Sequence, residues 1–281
     1  MNRMHLRQFV RESLNEDIGF GDWTTEALVG EDHRSRAVLL AKEEGVTAGL
    51  AVAEAVFREL DPAVTFVAAV SDGDVVAAGS ELAVIQGKTR DLLAGERVAL
   101  NLLQHLSGIA TQTRKVVDAL EGLDCSVLDT RKTLPGLRML EKAAVRAGGG
   151  VNHRFGLSHG VMIKDNHIAL AGSMSEAVRR VREQVGHMVQ VEVEADTLEQ
   201  VREALALEVD AILLDNMDLA TLREAVALID GKVWTEASGG ITPETARAVA
   251  ETGVNAISMG WLTHSVQALD ISMDIQSEEG S

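Results

Sequence analysis

The sequence predicts an α/β fold preceded by a smaller α+β unit, and three observations carry that prediction. From residue 123 onward, short apolar runs alternate with helical patterns six times. This is the rhythm of parallel strands joined by right-handed crossovers. The first third mixes strands and helices without that beat, as a separate α+β unit would. Between them, residues 92–120 place Leu92, Leu93, Val98, Leu100, Leu102, Leu103, Leu106 and Ile109 at helical spacing, a bridge between the two parts.

Taken in order, residues 4–16 carry Leu6, Phe9, Val10 and Leu14 on one helical face. EDIGFGDWTT follows as a Gly-punctuated loop. Segments 36–41 and 64–70 read as strands with a helix at about 49–60 between them. SDGDVVAAGS is turn-rich, and ELAVIQG is another strand. Gly108 marks a point where the long helix is open to interruption. The six units are CSVLD with 136–147, GVMIKD with 174–185, MVQVEVE with 197–207, AILLD with 218–229, KVWTEAS with 243–252, and AISMG with 261–268. ALDISMDI reads as a last strand and IQSEEGS as a frayed end.

Both a doubly wound sheet and a barrel fit this beat. Two features favour the barrel. MVQVEVE alternates, with Val189, Val191 and Val193 on one face and Gln190, Glu192 and Glu194 on the other. Strands of an open doubly wound sheet are usually apolar on both faces, so a polar face points to a ligand-bearing interior. No Gly-rich dinucleotide fingerprint follows the first strand either.

Composition excludes several classes. The formal charge of −17 argues against a nucleic-acid partner, which needs a broad basic face. The apolar runs are too short to cross a bilayer, and the first residues show no apolar signal core before acids appear. The sole cysteine, Cys125, is expected to be a small buried hydrophobe in a reducing compartment. Against the acidic background, residues 130–167 carry seven Lys and Arg and only two acids. A basic island of this kind suits a small, multiply anionic ligand.

Parallel βα folds place their sites at the C-terminal ends of strands. Those ends give Thr130-Arg131-Lys132, Lys164-Asp165-Asn166-His167, Glu194, Asp215-Asn216, Glu236-Ala237-Ser238-Gly239-Gly240 and Ser258-Met259-Gly260. Cations come from the first two strands, carboxylates from the middle two and Gly/Ser loops from the last two. A late Gly-rich loop before a helix makes a phosphate site from backbone N–H groups. Glu194 and Asp215 suit Mg2+ or sugar hydroxyls. Any one strand-end acid is more simply a cap or a buried ion pair; six consecutive ends forming one anion–sugar–phosphate site are not.

The motifs EDIGFGDWTT, GERVALNLLQHLSGIAT, DTRKTLPGLRMLEK, GGGVNHRFGLS, IKDNHI, VEVE, LLDN, EASGGIT and ISMGWLTH occur in this order. With them the chain resembles the quinolinate phosphoribosyltransferase family nearly end to end. The resemblance implies an N-terminal α/β sandwich domain over 1–110, joined by the tail 270–281, and an incomplete α/β barrel over 111–269. It implies a cytoplasmic homodimer that uses Mg2+, quinolinate and phosphoribosyl pyrophosphate in de novo NAD biosynthesis, with no nucleic-acid or membrane partner. It further implies that Arg97 reaches a neighbouring subunit's barrel and binds a quinolinate carboxylate. Arg131, His153, Arg154 and Lys164 would line the dicarboxylate and pyrophosphate pocket, with Lys132 and Thr133 beside them. Lys132, Glu194 and Asp215 would be catalytic, and the two acids would handle ribose hydroxyls and Mg2+. Ser238, Gly239, Gly240 and Gly260 would hold the 5′-phosphate. His159 and Ala143 depart from the Asp and Tyr that family members often carry.

Rivals within the superfamily are a relative associated with molybdenum transport and a non-decarboxylating nicotinate phosphoribosyltransferase. The NHR and KDNH motifs favour the quinolinate enzyme. A non-catalytic nucleotide sensor on the same scaffold is the rival of another class, and the retained Lys132, Glu194 and Asp215 argue against it.

Overall fold

A computed structural model describes residues 2–277 of the chain. In order, the elements are α1 (Arg3–Ile18), α2 (Trp23–Leu28), β1 (Arg34–Ala41), β2 (Gly45–Val46), α3 (Leu50–Leu60), β3 (Thr65–Ala68), β4 (Val75–Val76), β5 (Glu81–Lys88) and α4 (Thr89–Ala119). Next come β6 (Ser126–Leu128), α5 (Arg138–Ala147), β7 (Val161–Ile163), α6 (Asp165–Ala171), α7 (Met174–Gln184), β8 (Val191–Ala195) and α8 (Leu198–Ala206). The last are β9 (Ala211–Asp215), α9 (Leu219–Ile229), β10 (Trp234–Ser238), α10 (Pro243–Ala250), β11 (Ala256–Ser258), α11 (Trp261–His264) and β12 (Ile271–Ser277). Two compact units result, one within Met1–Arg114, Leu134–Gly149 and Ser265–Ser281, the other within Lys115–Thr133 and Gly150–His264.

The first unit is built on an antiparallel sheet of order β12-β1-β5-β3. Alternation decides its inner face: Ala37, Leu39 and Ala41 of β1 and Ala83 and Ile85 of β5 are all fully buried. Val10 and Leu14 of α1, Val52, Val56 and Phe57 of α3, and Leu92, Leu103 and Ile109 of α4 join the same core. EDIGFGDWTT is not all loop. Asp22 accepts from the Thr25 N–H at 3.0 Å and caps α2, and that bonding holds its carboxyl below the usual range.

Gly108 does not interrupt α4. Its missing side chain instead admits the chain that leads into β12, because a Cβ there would lie 2.2 Å from the Gln267 carbonyl oxygen. The strand extends to Ser277, so three residues of the expected frayed end are paired with β1, while 278–281 lie outside the described residues. Helix α5 is a second difference. The strand–helix beat gave 136–147 to the barrel within 111–269, yet Leu140, Ala144 and Val145 complete the first core. Its Glu141 is fully buried, bonded to His105 Nε2 at 2.9 Å and to the Leu134 N–H at 3.2 Å. Periodicity reports that a helix forms, not which core buries its apolar face.

The second unit is a parallel sheet of order β6-β11-β10-β9-β8-β7. From β7 to β11 each strand lies beside its predecessor without reversal, and β6 then follows β11. A doubly wound sheet would reverse at a switch point. The order is that of a barrel left open between β6 and β7, the incomplete barrel that was expected. A parallel bridge from Val151 to Leu128 extends the β6 edge. Val191, Val193, Ile212, Leu214, Ala237 and Ile257 fill the core. Ser173, Thr197 and Asp218 cap α7, α8 and α9 by accepting backbone N–H groups. The expected helix over 261–268 stops at His264, and α6 was not foreseen. Among the described residues, no helix is long and apolar enough to cross a membrane.

Gly108→Ala should lower stability. Alanine favours a helix by about 1 kcal/mol, but here the clash is with backbone and cannot be relieved by a rotamer. A net loss of about 1–3 kcal/mol is expected. Urea unfolding monitored by circular dichroism measures it, and a midpoint at or above the parent's would refute the steric account.

Candidate active site

The chain leaving β6 carries the first cations. Thr130 Oγ1 accepts from the Lys132 N–H at 3.0 Å, and the Lys132 carbonyl accepts from Thr263 Oγ1 at 2.8 Å. The Thr133 N–H turns back to the Arg131 carbonyl at 2.9 Å. The lysine stem lies against Gly260, where a Cβ would stand 2.6 Å from Lys132 Cδ, 3.2 Å from His264 Cδ2 and 3.4 Å from Thr130 Oγ1. The lysine is therefore held at both backbone groups, with its stem beside the glycine.

Asp129, the residue before this loop, is fully buried. Its carboxylate accepts from the His153 N–H at 2.9 Å and from Asn152 Nδ2 at 2.6 Å. The Asn-His-Arg segment is thereby fastened to the end of β6. His153 Nε2 lies 3.2 Å from Glu192 Oε2 and 3.5 Å from Glu236 Oε2, both buried. Its Nδ1 accepts the Arg154 N–H at 2.6 Å, and Arg154 Nη1 donates to the Gly160 carbonyl at 2.9 Å. Burial, and then the charge of Arg131, push the Arg154 guanidinium down from its ordinary value. Burial and the Glu192 charge push the Glu236 carboxyl up to about 7.

On β7 and β8, Lys164 Nζ forms an ion pair with Glu194 Oε2. Carboxylate oxygens of Glu194, Asp196 and Asp215 all lie within 4.8 Å of one another. Burial, then the charges of Asp215 and Asp165, raise the Asp196 carboxyl. An all-carboxylate oxygen set suits a hard cation such as Mg2+. After β9, Asn216 adopts φ +53° and its Nδ2 donates to Asp215 Oδ2 at 2.5 Å. Gly239 packs against it so closely that a Cβ would meet Asn216 Oδ1 at 2.2 Å, and its φ of +96° independently favours glycine. Gly240 has φ +61° and open space where a side chain would be.

These groups surround a cavity of about 400 Å³ whose lining includes Arg131, Lys132, His153, Arg154, Lys164, Asp215, Glu236 and Ser238 through Gly240. A neighbouring cavity of about 570 Å³ shares Arg131, Arg154 and Lys164 and is otherwise mainly apolar, with Leu157, Leu170 and Val181. Glu194 meets the first cavity through its ion pair with Lys164. Thr133 and Gly260 stand behind the lining rather than in it. Arg97 belongs to the first unit, on α4, with an exposed side chain 3.9 Å from Glu96.

Sequence reasoning missed Asp129 and the pairing of Glu192 and Glu236 beneath His153. The signal for Glu192 was present, since alternation put it on the face of Glu194. Nothing in CSVLDT marks Asp129. His159 and Ala143 are both exposed, and the His159 ring lies 6.2 Å from the Phe155 ring, so the departure at 159 falls within a local ring contact. Cys125 is only part-buried, and burial, then the Asp124 charge, push its thiol up to about 11, which disfavours the nucleophilic thiolate at neutral pH.

Comparison with known proteins finds likeness across both units. Residues 22–107 match the quinolinate phosphoribosyl transferase N-terminal domain and residues 109–274 the C-terminal domain of the same family. A probable nicotinate-nucleotide pyrophosphorylase (carboxylating) of Bacillus subtilis (strain 168) is 50% identical over 275 residues, covering 98% of this chain and 95% of that protein. The mitochondrial quinolinate phosphoribosyltransferase (decarboxylating) 2b of Nicotiana tabacum is 45% identical, covering 97% of this chain and 83% of that one. The crystal structure of NadC from Streptococcus pyogenes superposes with a TM-score of 0.95 at 42% identity, covering 98% of each chain.

Glu236 supplies a pH test. Its carboxyl is raised, so the folded chain keeps a proton that the unfolded chain releases above the ordinary carboxylate range. Its stabilising contribution is present at low pH and is lost as pH rises through about 7. Glu236→Gln should therefore gain stability relative to the parent between about pH 5 and pH 8. Urea midpoints at the two pH values check this; a pH-independent difference would show an unperturbed carboxyl.

Proposed function

The chain belongs to the quinolinate phosphoribosyltransferase family, and from that premise we propose that it joins quinolinate to phosphoribosyl pyrophosphate. The products are nicotinate mononucleotide, pyrophosphate and carbon dioxide, a step of de novo NAD biosynthesis. The observation that carries this reading is the cavity of about 400 Å³, whose lining combines Arg131, Lys132, Arg154 and Lys164 with Asp215 and the Ser238–Gly240 turn. The cations suit multiply charged anions, and the turn a sugar phosphate.

The roles follow from charge. As the pyridine nitrogen attacks the anomeric carbon, pyrophosphate leaves and positive charge grows on the sugar. Lys132, with its backbone held, and Arg131 offer cations to the departing anion. Glu194 and Asp215 face the ribose hydroxyls and, with Asp196 close by, would hold Mg2+, which would add charge neutralisation for the leaving group. Ser238, Gly239 and Gly240 present backbone to the 5′-phosphate. Gly260 contributes from beneath by leaving room for Lys132, and Thr133 by closing the turn to Arg131. Arg154, Lys164 and His153 line the dicarboxylate end. Once ribosylated, the ring nitrogen is cationic and stabilises the carbanion left by the adjacent carboxylate. The pocket must hold both carboxylates without favouring the departing one in the ground state. The family likeness supports a homodimer in the cytoplasm in which Arg97 is supplied by the partner subunit.

Incubation with quinolinate, phosphoribosyl pyrophosphate and Mg2+ should release carbon dioxide and nicotinate mononucleotide in equal amounts. Glu194→Ala and Asp215→Ala should each cut turnover at least about a hundredfold while unfolding near the parent's midpoint. Nucleotide without carbon dioxide would mark a non-decarboxylating enzyme, and binding without turnover a sensor.

Sharing of the site is tested by complementation. Arg97→Ala and Lys132→Ala should each be inactive alone. In a mixed dimer one site has both residues intact and the other lacks both. Equal random mixing makes about half the dimers mixed, so about a quarter of the parent's activity should return. Mixed dimers that form without any activity would show that Arg97 does not act across an interface.

A further inference from the structure

Helix α2 is six residues long and buries only Thr25. A helix this short does not persist on its own backbone bonds. Arg90 of α4 supports its end: Nε donates to the Val29 carbonyl at 2.9 Å and Nη2 to the Glu26 carbonyl at 3.2 Å. With the Asp22 cap at the start, the helix is bonded at both ends. What it presents is apolar. Phe20 is fully exposed, Trp23 is 80% exposed and Leu28 79%. The chain has five Phe, three Trp and no Tyr, so two of its few aromatic side chains stand in solvent within one short segment. Single exposed apolar residues are ordinary. Three large ones on a segment fastened at both ends make a preorganised contact surface.

Two further features say what covers it. The first is charge. Residues 16–32 contain Glu16, Asp17, Asp22, Glu26, Glu31 and Asp32 and no Lys or Arg. The second unit carries the converse surface. Leu157 and Leu170 at the cavity of about 570 Å³ are 73% and 85% exposed, and its lining holds Arg154, Lys164 and Arg180 and no acid. An acidic apolar surface and a basic apolar one are complementary. The second feature is position on α4. Arg90 and Arg97 are seven residues apart, which is two turns and about 10 Å along one helical face. The segment bonded to Arg90 is thus beside the face of α4 that carries Arg97.

Resting on the reading that a partner subunit supplies Arg97, we propose that the segment from Phe20 to Leu28 docks on the open barrel edge of a second copy, at the surface marked by Leu157 and Leu170. Every copy carries both surfaces, so a two-fold pair makes the contact twice and closes. Phe20 and Trp23 are its anchors, and the opposite charges fix its register.

The test is photo-cross-linking of the full-length chain with p-benzoylphenylalanine placed at position 20. Light and heavy isotope-labelled chains are mixed so that links between copies are identified by mass. The linked peptide should fall within residues 155–181 of the other copy. Phe20→Ser combined with Trp23→Ser should raise the dimer dissociation constant at least about tenfold in sedimentation equilibrium, and so should Leu170→Asp on the opposite surface, with circular dichroism unchanged in both. A link to any other segment, or dimers as tight as the parent's in either variant, overturns the docking. The mixture of Arg97→Ala and Lys132→Ala judges the shared site separately. Activity that returns there while the link maps elsewhere rejects the docking alone. Activity that fails to return while the link maps to 155–181 rejects the role of Arg97 alone. A parent that sediments as a monomer overturns both.

Discussion

The burial of three acids in one neighbourhood, Asp129, Glu192 and Glu236, is the constraint around which the second unit's site is arranged. Asp129 spends its oxygens on Asn152 and on the His153 backbone. Glu192 and Glu236 face the His153 ring. Three acids in one buried neighbourhood cannot all ionise cheaply, which is why the Glu236 carboxyl is pushed up. The arrangement costs stability and fixes the backbone that carries His153 and Arg154.

Glycine does the corresponding work on the steric side. The Lys132 stem lies beside Gly260, and Asn216 is placed by what Gly239 lacks. In each pair a small residue at the end of one strand lets a functional chain from a neighbouring strand lie flat against it. In the first unit Gly108 lets the returning tail approach α4, and β12 then covers β1. At Gly108 and Gly239 a single Cβ would separate elements that distant parts of the sequence bring together.

How much of this was legible depended on the kind of signal. Period-two alternation at Val191, Val193, Glu192 and Glu194 announced a polar interior, and both glutamates are indeed buried on β8. Strand ends at Lys132, Lys164, Asp215 and Gly239 could be read because apolar runs stop abruptly there. Arg97 could be singled out only through family likeness, since its helical surroundings resemble those of any exposed arginine. Helix α5 was found as a helix and assigned to the wrong core, because amphipathicity does not name the partner surface. α2 and α6 were missed because six or seven residues are too few to establish a period. Asp129 was invisible for a different reason: its function is to satisfy two donors that come from 152 and 153, and no local pattern encodes that.

The strand order also explains why the charges segregate. Cations come from the two edges of the open sheet, β6 with its Val151 extension and β7, while acids come from β8, β9 and β10 in its middle. An edge strand has a neighbour on one side only, so a cation at its end has fewer protein dipoles and acids around it than one at the centre. Arg131, Arg154 and Lys164 nevertheless line the same cavities, which means that the two edges face each other across the gap. A closed barrel would have put another strand between them. Leaving the barrel open thus gathers Arg131, Arg154 and Lys164 at its two edges, while Glu194 reaches Lys164 and Glu192 and Glu236 reach His153 from the strands between. The mixed lining of the cavity follows from the open strand order as much as from the residues present.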